Sequence, residues 1–168
     1  MVLTGGEPLV CKKEVIKIAS RIKILGIKVK IDTNGAYPKV LQEIIDQDLV
    51  DFVAMDIKAS LDNAYHDACG VQVDIKAIES SIRILLTRNI DYEFRTTCVP
   101  GIIDKTAIHR IGQVIKGAKR WALQAFVPDN AHKEDFRKPL EPGYPTMLKT
   151  YQDIARQYVA NTILRGKL

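Results

Sequence analysis

Apolar and polar positions along the chain switch repeatedly between a period near two and a period near three and a half. Val2 to Thr4 is a short apolar run that ends in a glycine turn. Val15, Ile18, Ala19, Ile22 and Leu25 then keep the spacing of one helix face, which Gly26 stops. Lys28 to Asp32 alternates as a strand does, Thr33-Asn34-Gly35 turns the chain, and Val40, Leu41, Ile44 and Ile45 form the next helical stripe. Phe52 to Asp56 is an apolar strand closed by a carboxylate. After a polar loop, Ile75, Ile78, Ile82 and Leu85 mark another helix, and Tyr92 to Val99 predicts a strand closed by Pro100-Gly101. Ile108, Ile111 and Ile115 give a further helical face, and Trp121 to Val127 a further strand. A loop rich in Pro, Asp, Lys and His leads to a last helix carrying Met147, Leu148, Tyr151, Ile154 and Tyr158.

Five strands alternating with five helices predict an α/β fold built on a parallel sheet with right-handed helical crossovers. At 168 residues, with no low-complexity stretch or linker, the chain reads as one domain, 1–168. Ligands of parallel β/α sheets bind beyond the carboxyl ends of the strands. The residues that end each strand are therefore the informative ones: Thr4-Gly5-Gly6-Glu7-Pro8, Asp32-Thr33-Asn34-Gly35, Asp56-Ile57-Lys58, Arg95 and Thr97 with Val99-Pro100-Gly101, and Gln124 with Phe126. Polar residues and glycines recur at every one of these ends, as a polar ligand site spanning the sheet requires.

Composition narrows the class. Apolar residues make up 46% and charged residues 27%, as in an ordinary globular protein, and no apolar run approaches the roughly 20 residues of a bilayer span. The first residues lack the basic and apolar regions of a signal peptide, so a cytoplasmic location without a membrane is expected. The net charge of +5 is concentrated between Cys11 and Ile31. There Lys13, Lys17 and Arg21 recur opposite Val15, Ile18 and Ile22, the wet face of an amphipathic helix; without interleaved aromatics, no nucleic-acid partner is expected. Cys11, Cys69 and Cys98 are scattered singly, which fits neither a disulfide framework nor a CxxC zinc site. His66, in the loop Tyr65-His66-Asp67, His109, in a helix, and His132 lack the spacing of metal ligands, and surface or packing roles are expected for all three.

Thr4-Gly5-Gly6-Glu7-Pro8 carries the sharpest chemical signal. Paired glycines let the backbone approach a ligand without a Cβ in the way. Glu7 offers a carboxylate to a cationic group, and Pro8 fixes the exit toward the next helix, where a missing N–H costs little. The ordinary alternative is a tight strand-to-helix turn with a capping carboxylate. Asp32 and Asp56 have the alternative of helix caps or turn residues, and Lys58 and Arg95 that of surface charges or ion pairs.

Thr-Gly-Gly-Glu-Pro after a first visible strand resembles the second-strand motif of the radical S-adenosylmethionine (SAM) superfamily. Asp32-Thr33-Asn34-Gly35, Asp56-Ile57-Lys58 and the segment from Arg95 to Val99-Pro100-Gly101 resemble the third-, fourth- and fifth-strand motifs of its glycyl-radical activating enzymes. Trp121-Ala122-Leu123-Gln124-Ala125-Phe126 with Pro128 and Asn130 is similar to a stretch of anaerobic ribonucleotide reductase activating proteins. The resemblance implies a partial parallel (β/α) barrel, of which strands 2 to 6 and a C-terminal helix are present and the first β/α unit is missing. It implies SAM as cofactor, with Thr4, Gly5, Gly6, Glu7 and Pro8 at the methionine amino group, and Asp32, Asn34, Asp56 and Lys58 lining the pocket. Arg95 falls near the methionyl carboxylate, as suits a planar, permanently charged donor, and Gln124 and Phe126 fall at the adenosine end. No catalytic residue is assigned. The implied partners are a glycyl radical enzyme, anaerobic ribonucleotide reductase or pyruvate formate-lyase, and a flavodoxin or ferredoxin-type electron donor.

One part of the pattern is missing. The family's [4Fe–4S] cluster needs thiolates gathered on a CxxxCxxC loop before the Gly-Gly-Glu-Pro motif, and only three residues precede Thr4. The cluster is therefore expected in a full-length parent only, with this chain N-terminally truncated, read from a misplaced start codon, or split. On that expectation it does not cleave SAM, binds it weakly, and presents an uncovered edge at its first strand, prone to pairing with another chain. A binding or assembly module that keeps the fold without catalysis is the competing class.

Overall fold

In the computed structural model, which describes residues 1–131 and 134–166, six strands lie side by side in chain order. They are β1 (Val2–Leu3), β2 (Lys30–Thr33), β3 (Phe52–Asp56), β4 (Asp91–Cys98), β5 (Trp121–Ala125) and β6 (Thr162–Arg165), each parallel to the one before. The helices α1 (Lys12–Ile24), α2 (Pro38–Asp46), α3 (Asn63–Cys69), α4 (Ile75–Thr87), α5 (Lys105–Val114) and α6 (Tyr144–Arg156) occupy the crossovers. Because right-handed crossovers between successive neighbours all return over the same face, strict chain order sends every helix to one side of the sheet. Among the described residues no helix covers the other side. That is the architecture of a partial (β/α) barrel.

Local chemistry starts and stops the helices. Asp62, Asp74 and Asp104 cap α3, α4 and α5, each carboxylate accepting a backbone N–H, from Ala64, Ala77 and Ala107 respectively. Pro38 opens α2, and Gly70, left-handed at φ 69°, closes α3.

Strand residues alternate between the two faces. Ile31, Val53, Met55, Phe94, Trp121 and Leu123 are buried in a single apolar core with Val15, Leu41, Ile44, Ile82, Ile108, Ile111 and Leu148 of the helices. The intervening positions, Lys30, Asp32, Asp56, Glu93, Arg95, Gln124 and Arg165, line the bare concave face. Glu93 is only 2% exposed there, and Arg165 from β6 grips it through two N–H donors at 2.9 Å each, while Arg120 approaches to 3.8 Å.

Two elements lie outside the sequence expectation. β6 adds a sixth strand after the last helix, where the pattern predicts none, and α3 forms in what reads as polar loop. His66 accordingly sits on a helix, its Nδ1 accepting the Val73 N–H at 3.1 Å, whereas His109 Nδ1 shares a hydrogen bond with the Tyr158 hydroxyl at 2.9 Å. His132 lies outside the described residues. The lone cysteines vary in burial, Cys11 exposed, Cys69 intermediate and Cys98 buried. Among the described residues no helix is long and apolar enough to cross a membrane.

Burial acts most strongly on Glu93 and pushes its carboxyl up, but Arg165, with Lys30 and Arg95, outweighs burial and holds it below its ordinary value. A depressed folded-state value stabilises the protein above the unfolded value of about 4.3 and is lost as pH falls through the folded one. Glu93→Gln is expected to cost about 1–3 kcal/mol at neutral pH and to flatten the acid limb of the stability curve below about pH 4. Urea unfolding across pH checks both; an unchanged acid limb would show that the pair contributes nothing to acid stability.

Candidate active site at the strand tips

The sheet ladder ends at the carboxyl edge, and side chains take over there. Glu7, at the start of a short 3-10 turn (Pro8–Val10), ties the tip of β1 to the tip of β2. One carboxylate oxygen accepts the Leu9 N–H at 3.1 Å and the Thr33 hydroxyl at 2.9 Å, and the other accepts the Asn34 N–H at 2.6 Å. A carboxylate offers about four acceptor positions, so three are filled by the chain itself and one, on the oxygen facing Asn34, is left. Glu7 caps and buckles the turn, and one acceptor position stays open. Thr4, Gly5 and Gly6 are all exposed beside it, Gly5 at φ 131°, a conformation that other residues rarely adopt. Pro8 opens the 3-10 turn.

The next three strands are joined by Arg95. Its Nε donates to Asp56 at 2.7 Å and its Nη1 lies 3.3 Å from Asp32, so one guanidinium on β4 reaches acids on β3 and β2. Lys30 stands 3.1 Å from the other oxygen of Asp32, an ion pair without hydrogen-bond geometry, and Lys58 stands 3.8 Å from Asp56. Burial is the largest influence on Asp32 and raises it, yet Lys30 and Arg95 together prevail and hold the carboxyl below its usual range. For Arg95 burial again opposes the charge, and Asp56 and Asp32 overcome it. Two carboxylates thus meet three cations, leaving one positive charge in excess, a field suited to an anionic ligand group.

Next to this network lies a cleft of about 710 Å³ whose walls include Lys58, Ala68, Thr97, Val99, Gly101 and Phe126. A smaller recess, about 160 Å³, runs from it over Asp56, Arg95 and Thr97. Asn34 faces a neighbouring cavity behind α3, again with Lys58. Gln124 is half-buried on the concave face, aligned with Thr97 and Arg165 on the flanking strands. The geometry thus joins Asp32, Asp56, Lys58 and Arg95 in one charge chain and puts Lys58 and Phe126 on one cleft. Glu7 reaches the tip of β2 through Thr33 and Asn34, with Gly5 and Gly6 just before it in the chain. Thr33 and Thr97 stand among the strand-end residues without an assigned ligand contact, and Ala68, on a helix that the sequence pattern does not show, lies outside them altogether.

The cysteines do not fit an iron–sulfur cluster. Cys11 is exposed after the 3-10 turn, Cys69 ends α3, and Cys98 is buried in β4, where burial pushes its thiol up to about 12, away from the thiolate a cluster iron requires. Among the described residues no group of three His, Cys, Asp or Glu could hold a metal ion. An amino-acid-bearing nucleoside does fit: exposed glycines, a free acceptor position, a net-positive tip and a cleft of nucleoside size lie along one edge.

Fold and strand tips together define a parallel partial barrel with a candidate polar site along its carboxyl edge. The profile of the radical SAM superfamily matches residues 1–111, and the chain belongs to that superfamily of oxidoreductase-type enzymes, whose cofactors are SAM and a [4Fe–4S] cluster. It is 36% identical over 169 residues to an inferred glycyl-radical enzyme activating enzyme of Methanocaldococcus jannaschii, covering 98% of this chain and 70% of that protein. It is 24% identical to the 7-carboxy-7-deazaguanine synthase of Thermococcus kodakarensis over 91% of this chain and 54% of the relative. A crystal structure of a domain of a pyruvate-formate lyase-activating enzyme from Bacteroides vulgatus superposes with a TM-score of 0.78 at 19% identity, covering 99% of this chain and 98% of the other, and shares its fold.

If Glu7 and Thr33 act as one buckle, their effects are not additive. Glu7→Gln and Thr33→Val are each expected to cost about 1–2 kcal/mol, with the double variant close to the larger single effect. Chemical denaturation of the four proteins measures this; simple additivity would show that the contact contributes nothing.

Proposed function

We propose that this chain is the SAM-binding portion of a radical SAM enzyme that generates a glycyl radical on a large partner protein. The single observation that supports it most is the Arg95-centred network, which gathers the polar ends of β2, β3 and β4 beside a nucleoside-sized cleft. In this reading Thr4, Gly5, Gly6, Glu7 and Pro8 receive the methionine amino group, with Glu7 using its one open acceptor position. Arg95 faces the methionyl carboxylate, Asp32 and Asp56 hold it in place, Asn34 and Lys58 line the pocket, and Gln124 and Phe126 meet the adenosine. Bound SAM is the source of the adenosyl group that the family's chemistry uses. No residue of this chain is assigned to hold the cluster.

The relative at 36% identity, named for glycyl-radical enzyme activation, supports the partner class. Within that class the Trp121 to Asn130 stretch favours anaerobic ribonucleotide reductase over pyruvate formate-lyase. A flavodoxin or ferredoxin-type donor and a cytoplasmic location belong to the same reading. The cysteine geometry favours one second reading, a module that keeps the SAM fold for binding or assembly alone.

Equilibrium dialysis with radiolabelled SAM is expected to show one site per chain, weakened about 10–100-fold in Arg95→Gln. Equal binding by both proteins, or none by either, would remove the basis of the proposal. Anaerobic reconstitution of this chain with iron and sulfide is expected to leave the visible cluster band absent; stoichiometric iron with that band would overturn the cysteine argument. A glycyl-radical doublet in electron paramagnetic resonance, raised on anaerobic ribonucleotide reductase by a cluster-bearing preparation, distinguishes the activator from the module.

A further inference from the structure

The last ladder partners of β4 and β5 are Cys98 and Ala125. Beyond them the two segments part, into Val99-Pro100-Gly101 on one side and Phe126-Val127-Pro128 on the other, and Val99 and Gly101 from the first and Phe126 from the second form walls of the cleft. The spacing of these walls is no longer set by backbone pairing. Tyr144, the first residue of α6, reaches both. Its hydroxyl donates to the Cys98 carbonyl at 2.8 Å and accepts the Phe126 N–H at 2.7 Å, while the residue itself is 6% exposed. A phenol has one proton and accepting lone pairs, so both bonds are made at once, and the hydroxyl stands where a further ladder rung would have been. Burial pushes the phenol up to about 12, so it remains a donor at any working pH. Phe126, the residue whose N–H is held, packs edge-on against Phe136 with ring centroids 6.4 Å apart. Tyr151, about two turns further along the same helix face, offers a built-in comparison: it is similarly buried in α6 and donates to the Ile103 carbonyl at 3.0 Å, but it ties down the loop after β4 alone.

We propose that Tyr144 is a positioning residue of the ligand cleft, its hydroxyl fixing the distance between the tips of β4 and β5 and thereby holding Phe126 against the nucleoside end of the ligand. The ligand half of this inference rests on the SAM reading above; the spacing half does not. Tyr144 acts on one end of the ligand only, since Gly5, Gly6 and Glu7 lie across the sheet at β1 and β2.

The test uses the chain as it is, with Tyr144→Phe and, as matched control, Tyr151→Phe, each binding 5′-deoxyadenosine and, separately, L-methionine, followed by nuclear magnetic resonance. Tyr144→Phe is expected to weaken 5′-deoxyadenosine about 5–20-fold and leave L-methionine unchanged, while Tyr151→Phe lowers stability and leaves both ligands unchanged. Equal losses for both ligands, or equal effects of both variants, would reduce Tyr144 to packing and overturn the proposal. Amide hydrogen exchange on the unmutated protein needs neither a variant nor a ligand. The Phe126 N–H is expected to exchange more than about tenfold slower than that of Val127, and similar rates would overturn the spacing claim. If the unmutated chain binds neither small molecule, the SAM reading fails, and the exchange rates still decide what Tyr144 does.

Discussion

Between Asp32 and Asp56 the guanidinium of Arg95 resolves a conflict built into the strand tips. A ligand site at the carboxyl edge needs acidic and basic groups from several strands within a few ångströms, and two carboxylates held that close repel unless a cation stands between them. Arg95 is suited to this because its fork presents donors in fixed directions, so Nε serves β3 and Nη1 serves β2 from a single side chain on β4. Lys30 and Lys58 complete the neutralisation at either end. Without the guanidinium both acids would be half-buried and facing each other, and a burial cost now offset by pairing would fall on the site itself.

The same constraint extends along the whole edge. Parallel strands hold one another by evenly spaced rungs, but the rungs stop where function begins. At β1 and β2 a carboxylate, Glu7, takes over, and at β4 and β5 a buried phenol does; across β2, β3 and β4 a guanidinium works beside the last rungs, since Asp56 and Arg95 are themselves ladder partners. The chain-ordered sheet favours this, because among the described residues the helices lie on one side and leave the tips on the concave face to hold one another. Deeper in that face the Glu93–Arg165 pair plays the corresponding part for β4 and β6.

Much of this was legible in the amino-acid sequence because the strands that build the site are bounded by sharp signals. Phe52 to Asp56 ends in its carboxylate as expected, and Thr33-Asn34-Gly35 turns where the motif stands, Gly35 at φ 81°. The sequence could not show β6, whose four residues, Thr-Ile-Leu-Arg, are too few to display alternation and only partly buried. Nor could it show α3, in which Tyr65, Ala68 and Cys69 are too short a stripe to fix a helical period. Pairings depend on distance in space. Glu7 and Thr33 are 26 positions apart, and Tyr144 lies 46 positions from the carbonyl it bonds, so their joint action was invisible before the strands were placed. Glu7 is the instructive residue, since a carboxylate read as ligand-facing is mostly occupied by its own backbone and keeps one open position.

That the five strand tips form a single ligand site is the central claim, and a SAM titration followed by backbone amide shifts tests it most directly. The account predicts that Gly5, Glu7, Asn34, Lys58, Gly101 and Phe126 shift together, with one midpoint, while amides at the opposite ends of the same strands stay still. Shifts confined to one tip, or midpoints that differ from strand to strand, would contradict it.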